Sequence, residues 1–584
     1  MSRFSARARV LAVATSTALV MSGFAVVSAP AQSATPQAGG ILTMLEHEPR
    51  LDHLDPTRIY TGRDLAFMNA FHTRTLVAYN PVPGEAGAGI VPDLATNTGV
   101  PSNQAKVWKF TLRPGTKFED GTAITCEHVR YGVSRVFAQD VLPGGPTYLI
   151  TWLDIPTDAD GNSIYTGPYK NTPAGVKAFN KAVACSPDNR TITFTLNKSV
   201  ADFNYLGTYG VISPVQKKND TGDKYDLKPQ ATGPYKIVQN DKTQLRMVRN
   251  KYWSKSTDVF RTPYPDNIVV RFGLAEDVRD QIMLEDQIPN TVSLDSLQPA
   301  NTRTFFADPT KKNQRMNVFD PYVRYAAMNV SKGHMDCLAI RKAVFFAINT
   351  QALIDLSGGT VYYGVPGDNP VKPVLGLDYA PTKGNIHDPN WKITGNPDYA
   401  KSLVEGAKAS CPDAYKKATA DGIVWDIAQS ATNQKASQLI TTALNAAGIQ
   451  IKFNFIPSGQ YYSTVMNPAK QNDISSAGWG ADWANASTVL PELFTQEGGF
   501  NLSQNWNDPA YAAFKKLSDA GKNETNRAKQ AAIWKQASQY VMDQYWIIRP
   551  IFGKGQFQWG SKVGGVYYWE PQGTFLFGSL YVKG

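Results

Sequence analysis

Residues 475–485 read SSAGWGADWAN, in which one carboxylate, Asp482, lies between Trp479 and Trp483 with Gly478, Gly480 and Ala481 beside it. Such an aspartate can cap the helix that follows while the tryptophans fill core. It can also sit in a cavity wall and hold a cation, because a carboxylate shielded from water gains from a charge-assisted bond to an ammonium. No catalytic constellation competes with it: the chain has no GxSxG, HExxH or GxxxxGK[ST] motif. GEAGAG at 84–89 has the wrong spacing for a dinucleotide loop. The six histidines, His47, His53, His72, His128, His334 and His387, are dispersed, and none pairs with another at i,i+4. His47 and His53 near Glu46 and Glu48 have a spacing that arises often by chance, and the acidic residues are too numerous to single out a glycosidase pair. The expectation is a binding protein rather than an enzyme, with no cofactor and no metal.

The chain must be exported to do this work. Arg3, Arg7 and Arg9 precede an apolar run from Val10 to about Val27, and Ala29-Pro30-Ala31 is a small-x-small site. That pattern predicts a secretory signal peptide over 1–31. Val20-Met21-Ser22-Gly23 opens like a lipobox, but Phe24 follows where lipid attachment needs cysteine, so a free extracytoplasmic protein, periplasmic or cell-wall associated, is expected. No later stretch is apolar for 18 residues, which predicts no membrane span. Without the three signal arginines, 56 basic residues face 49 acidic ones, a net charge of +7. These charges are scattered, with no basic run of five, so nucleic acid is not an expected partner. Cys126, Cys185, Cys337 and Cys411 allow three disulfide pairings in an oxidising compartment. The nearest-neighbour pairing, Cys126 with Cys185 and Cys337 with Cys411, is favoured because each bridge then staples one region.

The elements that position these residues alternate between strand and helix. Ile41–Leu45 reads as a strand and Leu65–Thr75 as a helix. Trp108, Phe110 and Leu112 alternate with polar residues up to the Pro114-Gly115 turn. Thr125 is placed to cap a helix over 126–138, and 190–196 is a second alternating strand. Residues 231–253 read as a hairpin turning at Asn240-Asp241, and 268–272 as a buried strand. Helical spacing returns over 340–356 and 435–447, the latter followed by a strand at 449–455. The last 40 residues are β-rich. With no internal repeat or low-complexity linker, the class is α/β with interleaved domains.

Several of these segments together resemble one family. GGILTMLEHEPRLDHLDP resembles the opening of extracellular solute-binding proteins, family 5, the oligopeptide, dipeptide and nickel receptors of ABC importers. The segment VPDLATNTGVPSNQAKVWKFTLRPGTKFEDGTAITCEHVRYGVSRVF is similar to that family's signature. ATGPYKI, RNKYW, MNVSKGHMDCLAIRKAVFFAIN and GWGADWAN follow in family order across nearly the whole mature chain. The resemblance implies a two-lobed, hinge-closing periplasmic-binding-protein fold with an inserted domain. Lobe one would comprise 32–80, 205–322 and 549–584, the insert 81–204, and lobe two 323–548.

The resemblance also implies a site. Asp482 would pair with the α-ammonium of a peptide or small cationic ligand, with Trp479 and the backbone of Gly478 and Ala481 flanking it. Tyr60, Thr61 and Gly62 would line the cleft, Tyr325 would lie near the hinge, and Tyr148 would reach in from the insert. The partner implied is an ABC permease, and the receptor a monomer. Some details depart from the pattern. The stretch DIAQSATNQKAS, 426–437, lacks the arginine with which dipeptide receptors grip a carboxylate, which favours longer peptides or a cationic amino acid. The absence of a histidine in GWGADW argues against nickel, while the tryptophans leave cello-oligosaccharides open. Some relatives encoded in antibiotic or clavam biosynthesis clusters look like this, which suggests as the alternative role a secreted carrier or enzyme-like protein acting on a peptide-like metabolite.

Overall fold

Two mixed sheets organise the chain. In the first, Ile41–Leu45 is an interior strand, parallel to the central Asn267–Arg271 on one side and to the edge strand Thr291–Ser293 on the other. The hairpin Tyr235–Asn240 and Gln244–Arg249 extends this sheet antiparallel through Asn267–Arg271. The computed structural model describes residues 36–332, 334–457 and 460–584, so the expected signal segment lies outside the described residues. Among them no helix is long and apolar enough to cross a membrane.

The second sheet has six strands, in the order Gly364–Pro366, Ile547–Gln558, Arg315–Met328, Ile474–Gly480, Ile423–Ala428, Ile451–Ile456. The last three run parallel; the helix Ala431–Ala446, packed on the sheet, joins Ile423–Ala428 to Ile451–Ile456, as a crossover connection requires. Arg315–Met328 and Ile547–Gln558 are the longest strands, and they pair antiparallel from Arg315↔Gln558 to Ala327↔Ile547. Both expected segment boundaries, 322/323 and 548/549, fall inside this pair. A four-stranded antiparallel sheet of Val100–Ser102, Val107–Thr111, Thr191–Thr195 and Val183–Cys185 forms a third unit. Its core, with Trp108, Phe110 and Phe194, is continuous with that of the first sheet.

The disulfides join Cys126 to Cys185 and Cys337 to Cys411. Each closes a loop on one side of the long strand pair. Two helices differ from the sequence pattern. The expected helix over 340–356 is two, Leu338–Ala347 and Thr350–Leu356, because Asn349 breaks the run and its side chain caps the second by accepting from Ala352 N at 2.9 Å. The expected helix over 65–75 is Gly62–Phe71, starting earlier after Thr61 and ending before Arg74 and Thr75, whose backbone N–H groups donate to Thr232 and Asp93.

Candidate functional site

Asp482 follows the end of the strand Ile474–Gly480, where Gly480 pairs with Tyr322. A Cβ at Gly480 would lie 2.9 Å from the Tyr322 ring, so the lack of a side chain there lets the tyrosine lie over the strand end. The chain then turns, and Asp482 N donates to Thr488 Oγ1 at 3.1 Å. Asp482 is not a helix cap. Asn485 takes that role for the short 3₁₀ segment Ala486–Thr488, accepting from Ser487 N at 2.9 Å.

The carboxylate instead meets tyrosines from distant parts of the chain. Tyr60 Oη donates to Asp482 Oδ2 at 2.8 Å, and Tyr148 Oη donates to the same oxygen. Since both converge on Oδ2, Oδ1 is the atom available to a further donor. Tyr209 and Tyr79 donate to the Asp482 carbonyl at 2.8 and 3.1 Å. Trp483 inserts its indole among Tyr148, Tyr205 and Tyr209, with ring centroids 5.4 to 6.4 Å away. Its Nε1 donates to Asp202 Oδ2 at 2.7 Å, which also accepts from Ser487 Oγ at 2.8 Å. Thus Trp483, three residues beyond the second sheet's strand, packs in the core of the first sheet and the four-stranded unit.

Asp482 is only 8% exposed, and no cation of the described residues pairs with it. Burial pushes its carboxyl up to about 7, with the nearby Glu492 adding to the rise against the pull of the tyrosine hydroxyls. Burial likewise raises Tyr60 and Tyr148 well above the ordinary phenol value, with the Asp482 charge as the next cause, so both remain donors. Glu492 is itself half-buried and raised by desolvation, and accepts from Gly499 N at 3.0 Å. The field at Asp482 is negative, while Lys522 and Lys198 act on the Glu492 side. Physically that favours a cation, which repays the desolvation of the carboxylate.

Of the residues expected to line the site, Tyr60 and Tyr148 reach Asp482 directly. Gly62 begins the helix after Tyr60, and a Cβ there would lie 2.9 Å from Gln572 O and 3.3 Å from Tyr322 Oη. Thr61 precedes that helix and is exposed. Gly478 and Ala481 are half-buried along the strand end; the Trp479 indole donates to Thr488 O at 2.8 Å and lies 5.0 Å from Phe500. Tyr325 is not brought to this group: it is buried on the other face of its strand with Tyr461 and Tyr462. Sequence reasoning missed Tyr79, Tyr209, Asp202, Thr488 and Glu492, which carry no local signal for a role. Elsewhere, Glu46, His47 and Asp295 converge as possible metal donors, Asp295 being unforeseen. Arg63 Nη1 lies 2.8 Å from Glu46 and 3.1 Å from Asp295, so that cluster already has its cation. A cavity of about 440 Å³ beside the first sheet, lined by Thr43, Thr243, Gln244 and Arg271, contains none of the Asp482 group.

Two sheets linked by a long strand pair, with a buried carboxylate and tyrosines where they meet, define a two-lobed α/β ligand receptor. The chain belongs to the bacterial extracellular solute-binding proteins, family 5, whose model matches residues 89–501. It is 24% identical over 424 residues to the glutathione-binding protein GsiB of Salmonella typhi, covering 69% of this chain and 68% of that one. It is 24% identical over 549 residues to di/tripeptide-binding protein 1 of Pseudomonas aeruginosa, covering 89% and 90%. Among solved structures it is similar to clavulanic acid biosynthesis oligopeptide binding protein 2, with 27% identity, a TM-score of 0.82, and coverage of 94% and 96%.

Proposed function

We propose that this receptor captures oligopeptides by their α-ammonium at Asp482 and presents them to an ABC permease. The observation that carries this reading is a buried, unpaired carboxylate whose Oδ2 is held by Tyr60 and Tyr148. An ammonium at Oδ1 would gain a charge-assisted bond in a water-poor site and lower the carboxyl towards its ordinary value. The relatives that bind glutathione, di- and tripeptides and oligopeptides support the ligand class.

In this reading lobe one is 32–80, 205–322 and 549–584, the insert is 81–204, and lobe two is 323–548. Tyr60 then belongs to lobe one, Tyr148 to the insert and Asp482 to lobe two, so all three parts meet at the ligand's amino end. Trp479, Gly478, Ala481 and Gly62 form the walls beside it. The receptor works outside the cytoplasm, as a monomer. Its similarity to the clavulanic acid biosynthesis protein favours, as a second reading, service to a biosynthetic route rather than nutrition.

The test is calorimetric titration with peptides of two to nine residues, each paired with its N-acetylated form, and with free arginine alongside. Binding of free-amine peptides and loss on acetylation is the expected result. Equal binding of both forms overturns the role of Asp482.

A further inference from the structure

The two faces of the first sheet are used differently. Leu42, Met44, Ile268, Val270, Leu245 and Met247 point into the core shared with the four-stranded unit. Alternation sends Thr43, Val269, Arg271, Gln244 and Arg246 to the opposite face. The register places Val269 between Thr43 and Arg246, and Arg271 between Leu45 and Gln244. The helices Glu276–Glu285 and Pro299–Ala307 cover one end of this face, packing Ile282, Met283 and Phe305 with Leu45. Where that cover stops, the cavity of about 440 Å³ opens between the strands and Leu274 and Ile288.

The floor of this cavity is apolar, made by Val269, Phe272, Leu274 and Ile288. Beyond the rim it continues over the half-buried Val248 and the exposed Ile41. The polar rim is mostly committed to itself. The Thr243 hydroxyl donates to Asp241 at 2.6 Å, and the Gln244 amide donates to Gln239 at 3.0 Å. Asp241 has both oxygens occupied on its own turn, Oδ1 by Thr243 and Oδ2 by Gln239. Arg271 is the exception. It is exposed, and among the described residues its guanidinium forms no ion pair. Arg246, exposed on the same face, reaches only Asn267 Oδ1, at 3.4 Å. The two arginines are diagonal neighbours across the antiparallel pair. Such positions lie about 7 to 8 Å apart, which lets two long side chains converge on one anion.

We propose that this cavity is a second binding site, for a small anionic amphiphile: a carboxylate or phosphate head held by Arg271 and Arg246, with a short apolar chain laid over Val269 and Ile288. The mixed lining carries the assignment. An apolar floor alone would take any hydrocarbon, and two arginines alone any anion, whereas the two side by side select a molecule with both parts. The volume lies within the range of small-molecule sites, about 300 to 1,000 Å³. The proposal does not depend on Asp482, because the cavity contains none of that group and opens on the sheet face turned away from the shared core. Each methylene that the floor covers strengthens binding by up to about fourfold.

The experiment titrates the mature protein calorimetrically with butanoate, hexanoate, octanoate and octyl phosphate, all below their micellar concentrations. Octanol, octyltrimethylammonium and inorganic phosphate are the controls, and vesicles of anionic phospholipid form a separate sedimentation arm. Wild type, Arg271→Gln and Val269→Trp are compared, with melting curves to verify folding. The expected result is an affinity that rises with chain length, with octanol and octyltrimethylammonium at least tenfold weaker than octanoate. Arg271→Gln loses at least tenfold for octanoate and octyl phosphate, and Val269→Trp, which fills the floor, loses binding altogether. Absence of binding by both octyl anions overturns the proposal. So does equal binding of octanoate and octanol, or an unchanged affinity in Arg271→Gln. Sedimentation with vesicles that octyl phosphate does not displace makes this face a membrane-docking surface instead, which also overturns it. If Val269→Trp does not fold, Arg271→Gln, at an exposed position, decides.

Discussion

The pH dependence of peptide binding follows from the burial of Asp482. Its carboxyl is held up at about 7 when no cation is bound, so the protein must lose a proton before it can bind an ammonium below that pH. The expected weakening relative to the plateau is about twofold at pH 7, about tenfold at pH 6 and about a hundredfold at pH 5. A peptide's own α-amino group, with an ordinary pKa of about 8, must stay protonated, so affinity falls again by about tenfold near pH 9. The profile is a bell with its top between roughly pH 7 and 8. Titrations of one short peptide from pH 5 to 9 read it directly. In Asp482→Asn the group that makes the acid limb is gone, so the acid side becomes flat while affinity drops by about 2 to 5 kcal/mol overall. A wild-type affinity that stays constant from pH 5 to 7.5, or an acid limb that persists in Asp482→Asn, refutes the reasoning.

The same residue has an opposite effect on the unliganded fold. Its folded pKa is raised, so its stability contribution is fully present below about 3.8 and is lost as pH rises through about 7. Holding it near 7 costs about 4 kcal/mol at pH 8, and Asp482→Asn should melt higher than wild type there and gain less at pH 5. Equal melting of the two proteins at pH 8 counts against this. Tyr60→Phe removes a donor to the charged carboxylate, worth about 1.5 kcal/mol, and should move the acid limb of binding up by about one pH unit; an unmoved limb means that the bond is not formed in solution. Replacing Cys337 and Cys411 by serine opens a loop of 74 residues and should cost about 2 to 5 kcal/mol in denaturant unfolding, with peptide affinity unchanged, because neither cysteine approaches the cleft.

Much of this was legible in the chain, for identifiable reasons. Ile41–Leu45, Val107–Thr111 and Thr191–Thr195 announce themselves by run or alternation, and the structure forms them within a residue or so of the expected bounds. Asp482 stood out because small residues surround it. Its partners did not: Tyr209 and Tyr79 are 273 and 403 positions away, and single tyrosines in a chain with 27 of them carry no local mark. Arg271 carries no local mark either: it lies in the run 268–272 that reads as a buried strand, and only the register reveals that it opens on a cavity. The break at Asn349 was hidden by apolar spacing that suits one helix as well as two.

Trp483 gives the receptor a clock. Parting the two sheet regions means drawing a 3% exposed indole out of a nest of tyrosines and breaking its bond to Asp202. Exposing that ring costs about 2 to 3 kcal/mol, whichever peptide is inside. The dwell time of cargo is therefore set in part by a residue that need not touch it. Ligands of different affinity then share one barrier to leaving.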